Sequence, residues 1–552
     1  MPARPATPAR PEESVRPLER GLAVLRALTD AGQARASDLV RATGLARSTV
    51  DRVVATLVHL GYVREHRQDL HPTPRLMELG NAYLAAGDPQ GAIAARTAAL
   101  ADELDESVSL AVPDGDGVRF TAQAARRRAL SVAFRIGDLL PPERCAPGAL
   151  FAADWDEDRW ASWRERRATD PGGRAFPALP PHPTADPPDL AARVAAATAA
   201  GHALDDQLIE PGLIAVAVPV RDATGRTRCA LSAVSHTSRH TAAGLAAAVL
   251  PRLRAEAEAL TPLLPTQPPP PSPLLTDHHP VTADPRSELG AAYLQSLARG
   301  LTVLRALGRA GGDGLPLTAL ADATGLPRAT ARRLLHTLQA EGYAAHDGRH
   351  YRPLPRVLEL GYARLSRLGL AELAEPHLRR LTDRVHESAS VTVLDGTDIL
   401  YVARAATVRI MSVHITLGTR FPAYATAMGR VLLSGLPRPD RERALAAAAP
   451  RPLTRRTVTD GAALLALLDR AAEDGYATAD EELEEGLRSV AVPLRDADGR
   501  VIAALNVAQH PGVTPLDAAR DALLPALRET AAAIEADLHT AARFNSLAPR
   551  VN

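Results

Sequence analysis

Lysine is absent from this chain of 552 residues, so all 64 of its Lys and Arg positions are arginine. P-loop, Schiff-base and protein-kinase sites each need a lysine at a defined position. The absence of lysine therefore excludes these enzyme classes and leaves arginine to meet any anionic partner.

Cysteine and long apolar runs are also scarce. The two cysteines, Cys145 and Cys229, are too few for a disulfide framework and lack the C-x-x-C spacing of a metal motif, which fits a reducing compartment. Arg, Asp or Pro interrupts every apolar stretch well short of the ~18 residues that a membrane span needs. The N-terminal region also lacks the apolar core of a signal peptide. We therefore expect a cytoplasmic protein with no membrane partner.

Histidines and carboxylates form no recognisable catalytic or metal motif. His236 and His240 lie four residues apart, and His278 and His279 are adjacent, but none belongs to an H-E-x-x-H motif or lies near a cysteine pair. The run Glu481–Glu485 has no evident nucleophile or metal partner. We expect no enzyme, no metal site and no cofactor.

Net charge is zero, because 64 acidic residues balance the arginines. Any affinity for nucleic acid must therefore come from local basic patches rather than from the field of the whole protein.

The chain repeats itself after 281 residues. The segment "GLARSTVDRVVATLVHLGY", from Gly44, matches "GLPRATARRLLHTLQAEGY", from Gly325, at nine of nineteen positions. At the same offset, "PRLMELG" matches "PRVLELG" and "ESVSLAVPDG" matches "ESASVTVLDG". Further on, "GLIAVAVPVRDATGR" matches "GLRSVAVPLRDADGR" at an offset of 274. One unit of roughly 260 residues is therefore present twice. Between the copies, the consecutive prolines Pro268–Pro271 favour a semi-rigid polyproline II spacer.

Each unit begins with a helix-turn-helix pattern, which is clearest in the second copy. Apolar residues recur at helical spacing from Leu297 to Leu307, and a second helix begins at Leu317. The segment Thr324–Pro327 interrupts it with a left-handed glycine and a proline suited to a first helical turn, before a third helix from Arg328 to Glu341. The turn Asp347-Gly348 between two strand-like runs predicts a hairpin wing.

Basic and hydroxyl side chains gather in the first half of each recognition helix. A guanidinium can bond a guanine edge or a phosphate, and a hydroxyl can reach either. We therefore expect DNA contacts from Arg47, Ser48, Thr49 and Arg52 in the first unit and from Arg328, Thr330, Arg332 and Arg333 in the second. The alternative is a charged surface helix pair that does not bind DNA.

Four ordered blocks of the second unit resemble the IclR family of bacterial transcription regulators: "GLPRATARRLLHTLQAEGY", "PRVLELG", "GTRFPAYATAMGRVLLSGL" and "DEELEEGLRSVAVPLRDADGR". The resemblance covers Ser296 to Leu538 and, in weaker form, Leu18 to Leu260. It implies an α+β protein with two winged helix-turn-helix domains, each followed by a GAF-like α/β effector-binding domain. Such proteins normally dimerise so that two DNA-reading heads meet one operator.

The domain organisation follows from the repeat and the resemblance. We predict a disordered tail (1–14), head 1 (15–87), effector domain 1 (88–262), a proline-rich linker (263–290), head 2 (291–366), effector domain 2 (367–540) and a C-terminal tail (541–552). Because a short tether raises the effective concentration of the second head to about millimolar or above, one chain can act as a monomeric pseudo-dimer. Further dimerisation stays open. Asp51 stands where head 2 has Arg332, so we expect a double-stranded operator with unequal half-sites.

The effector pocket is assigned by the resemblance. The segment "RIMSVHITLGTRFPAYATAMGRVLL" most resembles the branch of the family that responds to 4-hydroxybenzoate and protocatechuate. Carried over residue by residue, the family's pocket positions fall on Ala427, Met428, Asp480, Ser489 and Asn506. For the carboxylate of the ligand we select Arg409 with Ser412, because an arginine fork suits that group. The alternative is that Arg409 is an exposed strand residue and Ser412 a filler.

Effector domain 1 departs from this pattern. It has "RCAPGALFAA" where the second domain has "YATAMGRVLL", and Ala215 replaces Ser489, although Asp206 and Ser232 keep polar side chains at two pocket positions. Its proline-rich segment "SWRERRATDPGGRAFPALPPHPTADPPD" reads as a loop. We expect a degenerate site that is structural or has altered selectivity.

These features predict a repressor that is relieved by 4-hydroxybenzoate or protocatechuate and controls genes of aromatic catabolism. The family contains both repressors and activators, so the direction of control is not encoded in these motifs. The competing hypothesis is a small-carboxylate sensor or protein-interaction module without operator-specific DNA binding.

Overall fold

The structure of the protein is a computed structural model. It describes residues 14–88, 91–126, 134–176, 178–179, 187, 189–263, 290–308, 314–407, 415–510 and 515–543. The chain divides into two compact units at Arg367, with both heads and effector domain 1 in the first unit and effector domain 2 in the second. The predicted tails and the proline-rich linker lie largely outside the described residues, and the domain boundaries stay predictions.

Head 1 is a three-helix domain with a three-stranded wing. Its elements are α1 (Arg16–Ala31), β1 (Ala34–Arg35), α2 (Ala36–Thr43), α3 (Arg47–His59), β2 (Val63–His66) and β3 (Asp69–Pro72). Gly44 ends α2 with a left-handed φ of 67°, a conformation that glycine adopts without a steric penalty. A connector helix, α4 (Met77–Gly87), follows the wing.

Effector domain 1 is a six-stranded antiparallel sheet with helices on both faces. Its elements are α5 (Ala92–Leu104), β4 (Ser107–Asp114), β5 (Gly117–Ala124), β6 (Leu139–Leu140), α6 (Ala146–Ala152), α7 (Glu157–Thr169), α8 (Leu190–Ala200), β7 (Ala203–Asp206), β8 (Leu213–Arg221), β9 (Thr227–His236) and α9 (Ala242–Leu260). The strand order is β6-β5-β4-β9-β8-β7. Separate apolar cores lie under α5 and α9 on one face and under α6 and α8 on the other.

Helix α7 corrects the expectation that this region of effector domain 1 is a loop. The residues "SWRERRAT" lie inside the helix, whose first turn is capped by the Asp156 carboxylate accepting from the Arg159 backbone N–H. Neither glycine nor proline occurs in the helix, and the first proline of the segment is Pro171. The prolines that suggested a loop therefore act only beyond the end of the helix.

Head 2 repeats the first head in the predicted order. Its elements are α10 (Gln295–Leu307), α11 (Leu317–Thr324), α12 (Arg328–Ala340), β10 (Ala344–His346), β11 (Tyr351–Pro353) and the connector helix α13 (Tyr362–Leu365). The turn glycine and the hairpin wing are confirmed, since Gly325 has a φ of 64° and β10 pairs antiparallel with β11. Pro327 immediately precedes the recognition helix as its N-cap, one position earlier than expected.

Effector domain 2 has the same architecture as effector domain 1. Its elements are α14 (Leu370–Val385), β12 (Ser388–Asp395), β13 (Asp398–Ala405), β14 (Arg420–Pro422), α15 (Ala427–Ser434), α16 (Arg438–Ala448), α17 (Gly461–Asp474), β15 (Ala477–Asp480), β16 (Arg488–Arg495), β17 (Val501–Gln509) and α18 (Leu516–Ala542). The strand order is β14-β13-β12-β17-β16-β15. Helices α14 and α18 pack on one face, and α15 packs on the other. The predicted α+β class, with two winged helices each followed by a GAF-like domain, is confirmed.

The two heads exchange equivalent polar contacts within the first unit. The hydroxyl of Thr337 accepts from the Val15 backbone N–H, and the hydroxyl of Thr56 accepts from the Leu294 N–H, both at 2.9 Å. Such reciprocal contacts are the mark of a two-fold interface, here formed inside one chain.

Ion pairs and glycine contacts repeat the same exchange. Arg26 pairs with Glu359 at 3.7 Å, and the equivalent Arg305 pairs with Glu78 at 3.3 Å. Two glycines allow α1 and α10 to approach closely, because Leu297 lies against Gly21 and Leu18 lies against Gly300. The two halves of the interface between the heads therefore use equivalent residues for their hydrogen bonds, ion pairs and glycine contacts.

Another glycine brings α10 close to the connector helix of head 1. A Cβ at Gly308 would lie 2.4 Å from the Cα of Ala82. Because the obstacle is backbone, Gly308→Ala should force the helices apart and lower the free energy of unfolding by roughly 1–3 kcal/mol. Chemical denaturation should show this loss, whereas Gly87→Ala, at an exposed glycine with no atom within 4 Å, should show none. Equal stability of the two variants would contradict the close packing.

Effector domain 1 buries one carboxyl group completely. Asp205 has 0% exposure, and its Oδ1 accepts from the Leu208 backbone N–H at 2.8 Å. Its Oδ2 has no hydrogen-bond partner among the described residues. Burial raises the pKa of Asp205 to about 7.

This shift makes the stability of the domain depend on pH. The pKa is higher in the folded than in the unfolded state, so the folded state binds more protons and the free energy of unfolding falls as pH rises from about 4 to about 7. Asp205→Asn removes this penalty and should stabilise the domain by about 4 kcal/mol at pH 8 and by about a third as much at pH 5. Unfolding followed by tryptophan fluorescence reports on this domain, which contains all 3 tryptophans. The exposed neighbour variant Asp206→Asn should show no such pH dependence, and equal behaviour of the two variants would contradict the assignment.

Candidate nucleic-acid interface and effector site

Helix α3 presents the predicted DNA-binding residues of head 1 on its outer face. Arg47, Ser48 and Arg52 are exposed and Thr49 is half-buried. Asp51 lies on the same face, and its Oδ1 accepts from Arg47 Nε at 2.8 Å. Two arginines against one aspartate leave a single net positive charge on this surface.

Helix α12 presents a more basic surface in head 2. Arg328, Arg332 and Arg333 are exposed, and Thr330 is half-buried. Arg332 Nε lies 3.4 Å from His336 Nε2, one turn further along the helix. With arginine at the position of Asp51, the predicted residues of α12 carry three positive charges.

Two arginines outside the recognition helices extend this basic surface. Arg16 at the start of α1 and Arg299 on α10 line one groove together with Thr330 and Arg333. Sequence reasoning missed both, because they belong to helices that the pattern assigned to packing. Their position beside the recognition helix makes them candidate phosphate contacts.

Strand register places a row of side chains across the sheet of effector domain 2. Residues directly opposite each other in antiparallel strands point to the same face. Ser390 pairs with Arg404 on one side and with Asn506 on the other, and Asn506 pairs in turn with Ala491. We call Arg404, Ser390 and Asn506 the polar row.

Helix α15 covers the face that bears the polar row. Ala427 and Met428 belong to its apolar core, together with Ala491 of the sheet, so the structure brings these two predicted residues over Asn506. Ser489 pairs with Ala479, which also belongs to that core, and therefore lies on the same face.

Two members of the polar row and Thr392, which lies on the same face, are buried, and two of these side chains lack hydrogen-bond partners within the described part of the chain. Ser390, Thr392 and Asn506 have 4%, 0% and 1% exposure. Among the described residues, Thr392 Oγ1 and Asn506 Oδ1 have no hydrogen-bond partner. Because an unpaired buried polar atom costs about 1–3 kcal/mol, this face is better suited to a polar ligand than to apolar packing alone.

Arg404 is the charged member of the row, and sequence reasoning missed it. The side chain is half-buried and donates from Nη1 to the carbonyl oxygen of Ile415. Burial lowers the pKa of Arg404 below its ordinary value, although the nearby Tyr401 acts in the opposite direction. One sequence signal could have indicated a polar face here: Ser388, Ser390 and Thr392 alternate with apolar residues in the strand next to Arg404.

Asp480 is not brought to the polar row. It pairs with Arg488 across the strands, so its side chain lies on the opposite face from that of Ser489. Its carboxylate oxygens accept from Arg456 and Arg488, both at 2.6 Å. Both arginines neutralise this carboxylate within the domain. The predicted carboxylate-binding residues Arg409 and Ser412 lie outside the described residues.

The equivalent face of effector domain 1 carries a stacked aromatic pair. Phe134 stacks on Phe120 with ring centroids 4.1 Å apart, and both belong to the core under α6. Strand pairing aligns Gln123, Ser109 and Ser232 as the counterparts of the polar row. The row of effector domain 1 therefore has the same strand positions as the polar row, but it has Gln123 in place of the charged residue.

Polar contacts also hold the rim of this face in effector domain 1 together. The buried Glu143 accepts from Trp163 Nε1 and, through both oxygens, from Arg166. Burial alone would raise the pKa of Glu143, but these donors lower it. Arg193 donates to the carbonyl oxygens of Glu143 and Cys145. Burial raises the pKa of the Cys145 thiol to about 12, which makes a reactive thiolate unfavourable.

Metal sites and membrane-crossing helices are absent from the part of the chain that the structure describes. There, no group of three or more His, Cys, Asp or Glu side chains could hold a metal ion. His236 contacts Ser238, and His240 contacts Glu106, so the two histidines do not share a partner in these bonds. His278 and His279 lie outside the described residues. No described helix has the length and apolarity for a membrane crossing.

Family models match the chain in the pattern of the repeat. The IclR helix-turn-helix domain matches residues 17–67 and 296–348. The model of the bacterial transcriptional regulator IclR C-terminal domain matches residues 83–261 and 362–536. Each module is therefore found twice, in the same order.

Similar proteins are transcription regulators. The Pca regulon regulatory protein of Pseudomonas putida is 42% identical over 254 residues, 45% of this chain and 87% of that protein. The p-hydroxybenzoate hydroxylase transcriptional activator of Acinetobacter baylyi is 34% identical over 265 residues, 47% of this chain and 97% of that protein. Among solved structures, a transcriptional regulator from Rhodococcus sp. RHA1 is 48% identical, with a TM-score of 0.43, and the match covers 45% of this chain and 99% of that one.

The repeated modules, the two recognition helices and the two effector sheets lead to one conclusion: the chain belongs to the IclR family of bacterial transcription regulators and carries the family's complete domain pair twice.

Proposed function

We propose that this regulator binds one operator through both heads of a single chain, represses genes of aromatic catabolism, and is relieved by 4-hydroxybenzoate or protocatechuate. The observation that carries the proposal is the reciprocal packing of the two heads, which holds two basic recognition helices in one compact unit. A chain of this kind behaves as a pseudo-dimer at any concentration.

Tethering of the heads favours one chain as the DNA-binding unit. Two-fold operators present half-sites about one helical turn apart, so both recognition helices must be available together. Here the second head is held by contacts such as Thr56 with the Leu294 N–H rather than by association of two chains. Occupancy of the operator is therefore limited by DNA affinity and not by dimerisation.

Charge differences between the recognition helices support unequal half-sites. Arg332 can donate two hydrogen bonds to a guanine edge, whereas Asp51 can accept one from the amino group of cytosine. Asp51 also restrains Arg47 through their ion pair. Head 2 should supply more phosphate and guanine contacts, and head 1 should read a different base pattern.

Relatives suggest the class of ligand. Their names refer to the Pca regulon and to p-hydroxybenzoate hydroxylase, which points to small aromatic acids. The proposed site is the face between α15 and the sheet, where Ala427 and Met428 offer an apolar cover and Ser489 and Asn506 offer hydrogen bonds. Asp480 is proposed to act indirectly, through the arginines that flank it.

Ligand binding can change the affinity for DNA only through differential affinity for two arrangements of the protein. We propose that the acid favours the arrangement with the lower operator affinity. The competing function is an acid sensor or protein-interaction module without operator-specific binding. Specific DNA binding distinguishes the two functions.

DNA binding by the recognition arginines can be tested on duplexes selected from a random pool. Arg332→Ala in head 2 should weaken binding by about 10- to 100-fold if it contacts a base, and Arg47→Ala in head 1 should weaken it less, because Arg47 is already paired with Asp51. Fluorescence anisotropy across a salt series measures both effects. Arg384→Ala, on the exposed surface of α14, is the matched control. Failure to enrich any sequence from the pool would favour the competing function.

Asp51→Arg provides the complementary test of the half-sites. This change gives α3 the side chain of α12 and should move the selected sequence toward two equal halves. An unchanged selected sequence would contradict the role assigned to Asp51.

The ligand can be tested by calorimetry with the full chain. We expect 4-hydroxybenzoate or protocatechuate to bind at one site per chain with a dissociation constant on the order of micromolar, about 8 kcal/mol. The acid should also release the selected duplex. If the acid instead strengthens DNA binding, the protein is an activator or a repressor that needs the acid as co-repressor. If folded protein releases no heat on titration with either acid, neither acid is the ligand.

A further inference from the structure

The two effector domains differ in charge at one equivalent position of their sheets. We infer that Arg404 binds the carboxylate of the ligand in effector domain 2, and that Gln123 at the same position makes effector domain 1 unresponsive to acids. This inference rests on the proposed function, because it names the residue that recognises the acid.

Strand register establishes that the two positions are equivalent. Ser390 pairs with Arg404 and Asn506 in effector domain 2, and Ser109 pairs with Gln123 and Ser232 in effector domain 1. The row of effector domain 2 runs across β13, β12 and β17 under α15. The row of effector domain 1 runs across the equivalent strands β5, β4 and β9 under α6. The comparison therefore reduces to the side chains.

Electrostatics favours an anion beside Arg404. A half-buried guanidinium has lost part of its hydration, and one of the hydrogen bonds that Arg404 donates goes to the neutral carbonyl of Ile415. A carboxylate can accept two parallel bonds from such a fork and neutralise the charge. Arg404 stands at one end of the row and Asn506 two strands away, a span that suits a benzoate with its acid group at one end and its hydroxyl at the other.

Effector domain 1 lacks the charged member of the row. Gln123 is uncharged, and its amide oxygen and nitrogen are both buried without a hydrogen-bond partner among the described residues. On the same face, Phe134 stacks on Phe120, where the equivalent positions of effector domain 2 are Ile415 and Tyr401. The same face also carries the buried Asp205, where effector domain 2 has Ala479, and a carboxylate at this place would repel an acid.

The test compares an acid with its neutral ester. Calorimetry of wild type and Arg404→Gln with 4-hydroxybenzoate and with methyl 4-hydroxybenzoate separates recognition of charge from recognition of the ring. We expect Arg404→Gln to weaken acid binding by about 10- to 100-fold, the range of a hydrogen bond to a charged group. Ester binding should change by less than about threefold, because the ester has no charge for Arg404 to meet.

Two control variants accompany this comparison. Arg384→Gln removes an exposed arginine of α14 that pairs with Glu529, and it should leave acid binding unchanged. Gln123→Ala should leave both the affinity and the stoichiometry of one acid per chain unchanged, because effector domain 1 contributes no acid site. Circular dichroism confirms that each variant is folded.

Each alternative result identifies what has failed. No acid binding by wild type would reject the proposed function itself. Acid binding by wild type that Arg404→Gln leaves intact would overturn the inference alone, and loss through Arg409→Gln instead would move the carboxylate to that residue. Equal loss of acid and ester in folded Arg404→Gln would show that Arg404 shapes the site rather than recognising charge. Two acids per chain, or a change in stoichiometry with Gln123→Ala, would overturn the part concerning effector domain 1.

Discussion

Close packing of α1 against α10 is the contact on which the rest of this molecule depends. Leu18 lies against Gly300 and Leu297 against Gly21, so each helix provides a side chain to the gap that the other leaves. A Cβ at Gly21 or Gly300 would lie 2.4 or 2.5 Å from the end of the opposing leucine side chain, so a larger residue would force that leucine to move. Two separate chains would form such a contact by association, whereas here the linker makes it intramolecular. The recognition helices are held in one unit as a consequence.

Joining the two halves in one chain removes the requirement that they be identical. A homodimer uses every substitution twice, but here Asp51 alters one recognition helix while Arg332 remains in the other. Effector domain 1 shows the same freedom, since it has Gln123 where effector domain 2 has Arg404. Asp138, which follows Phe134 closely in the sequence, pairs with Arg367 at 3.1 Å at the end of the head 2 connector. Packing in this domain and the position of that connector are therefore physically linked.

Local patterns predicted the heads well and the effector sites less completely. Gly325 and Asp347-Gly348 act on their immediate neighbours, so the helix-turn-helix and the wing could be inferred from short segments. Helix α7 was missed because prolines that follow it dominated the composition of the segment. The resemblance selected Ala427, Met428 and Asp480 as pocket positions without showing where their side chains lie. In the structure Ala427 and Met428 lie over the sheet, whereas Asp480 faces away from the polar row and accepts hydrogen bonds from Arg456 and Arg488.

The amino-acid sequence by itself determined the duplication, the order of helices and strands, and the arginines available to meet DNA, because repeats, helical periodicity and turn residues are properties of contiguous segments. The tertiary structure decided which strands are neighbours and which side chains share a face. Alternation along β13 shows that Arg404 points to one side of a sheet, but only its pairing with Ser390 shows what lies beside it. The heads follow the same rule: Leu18 and Gly300 are 282 positions apart in the sequence, and only folding brings them into contact.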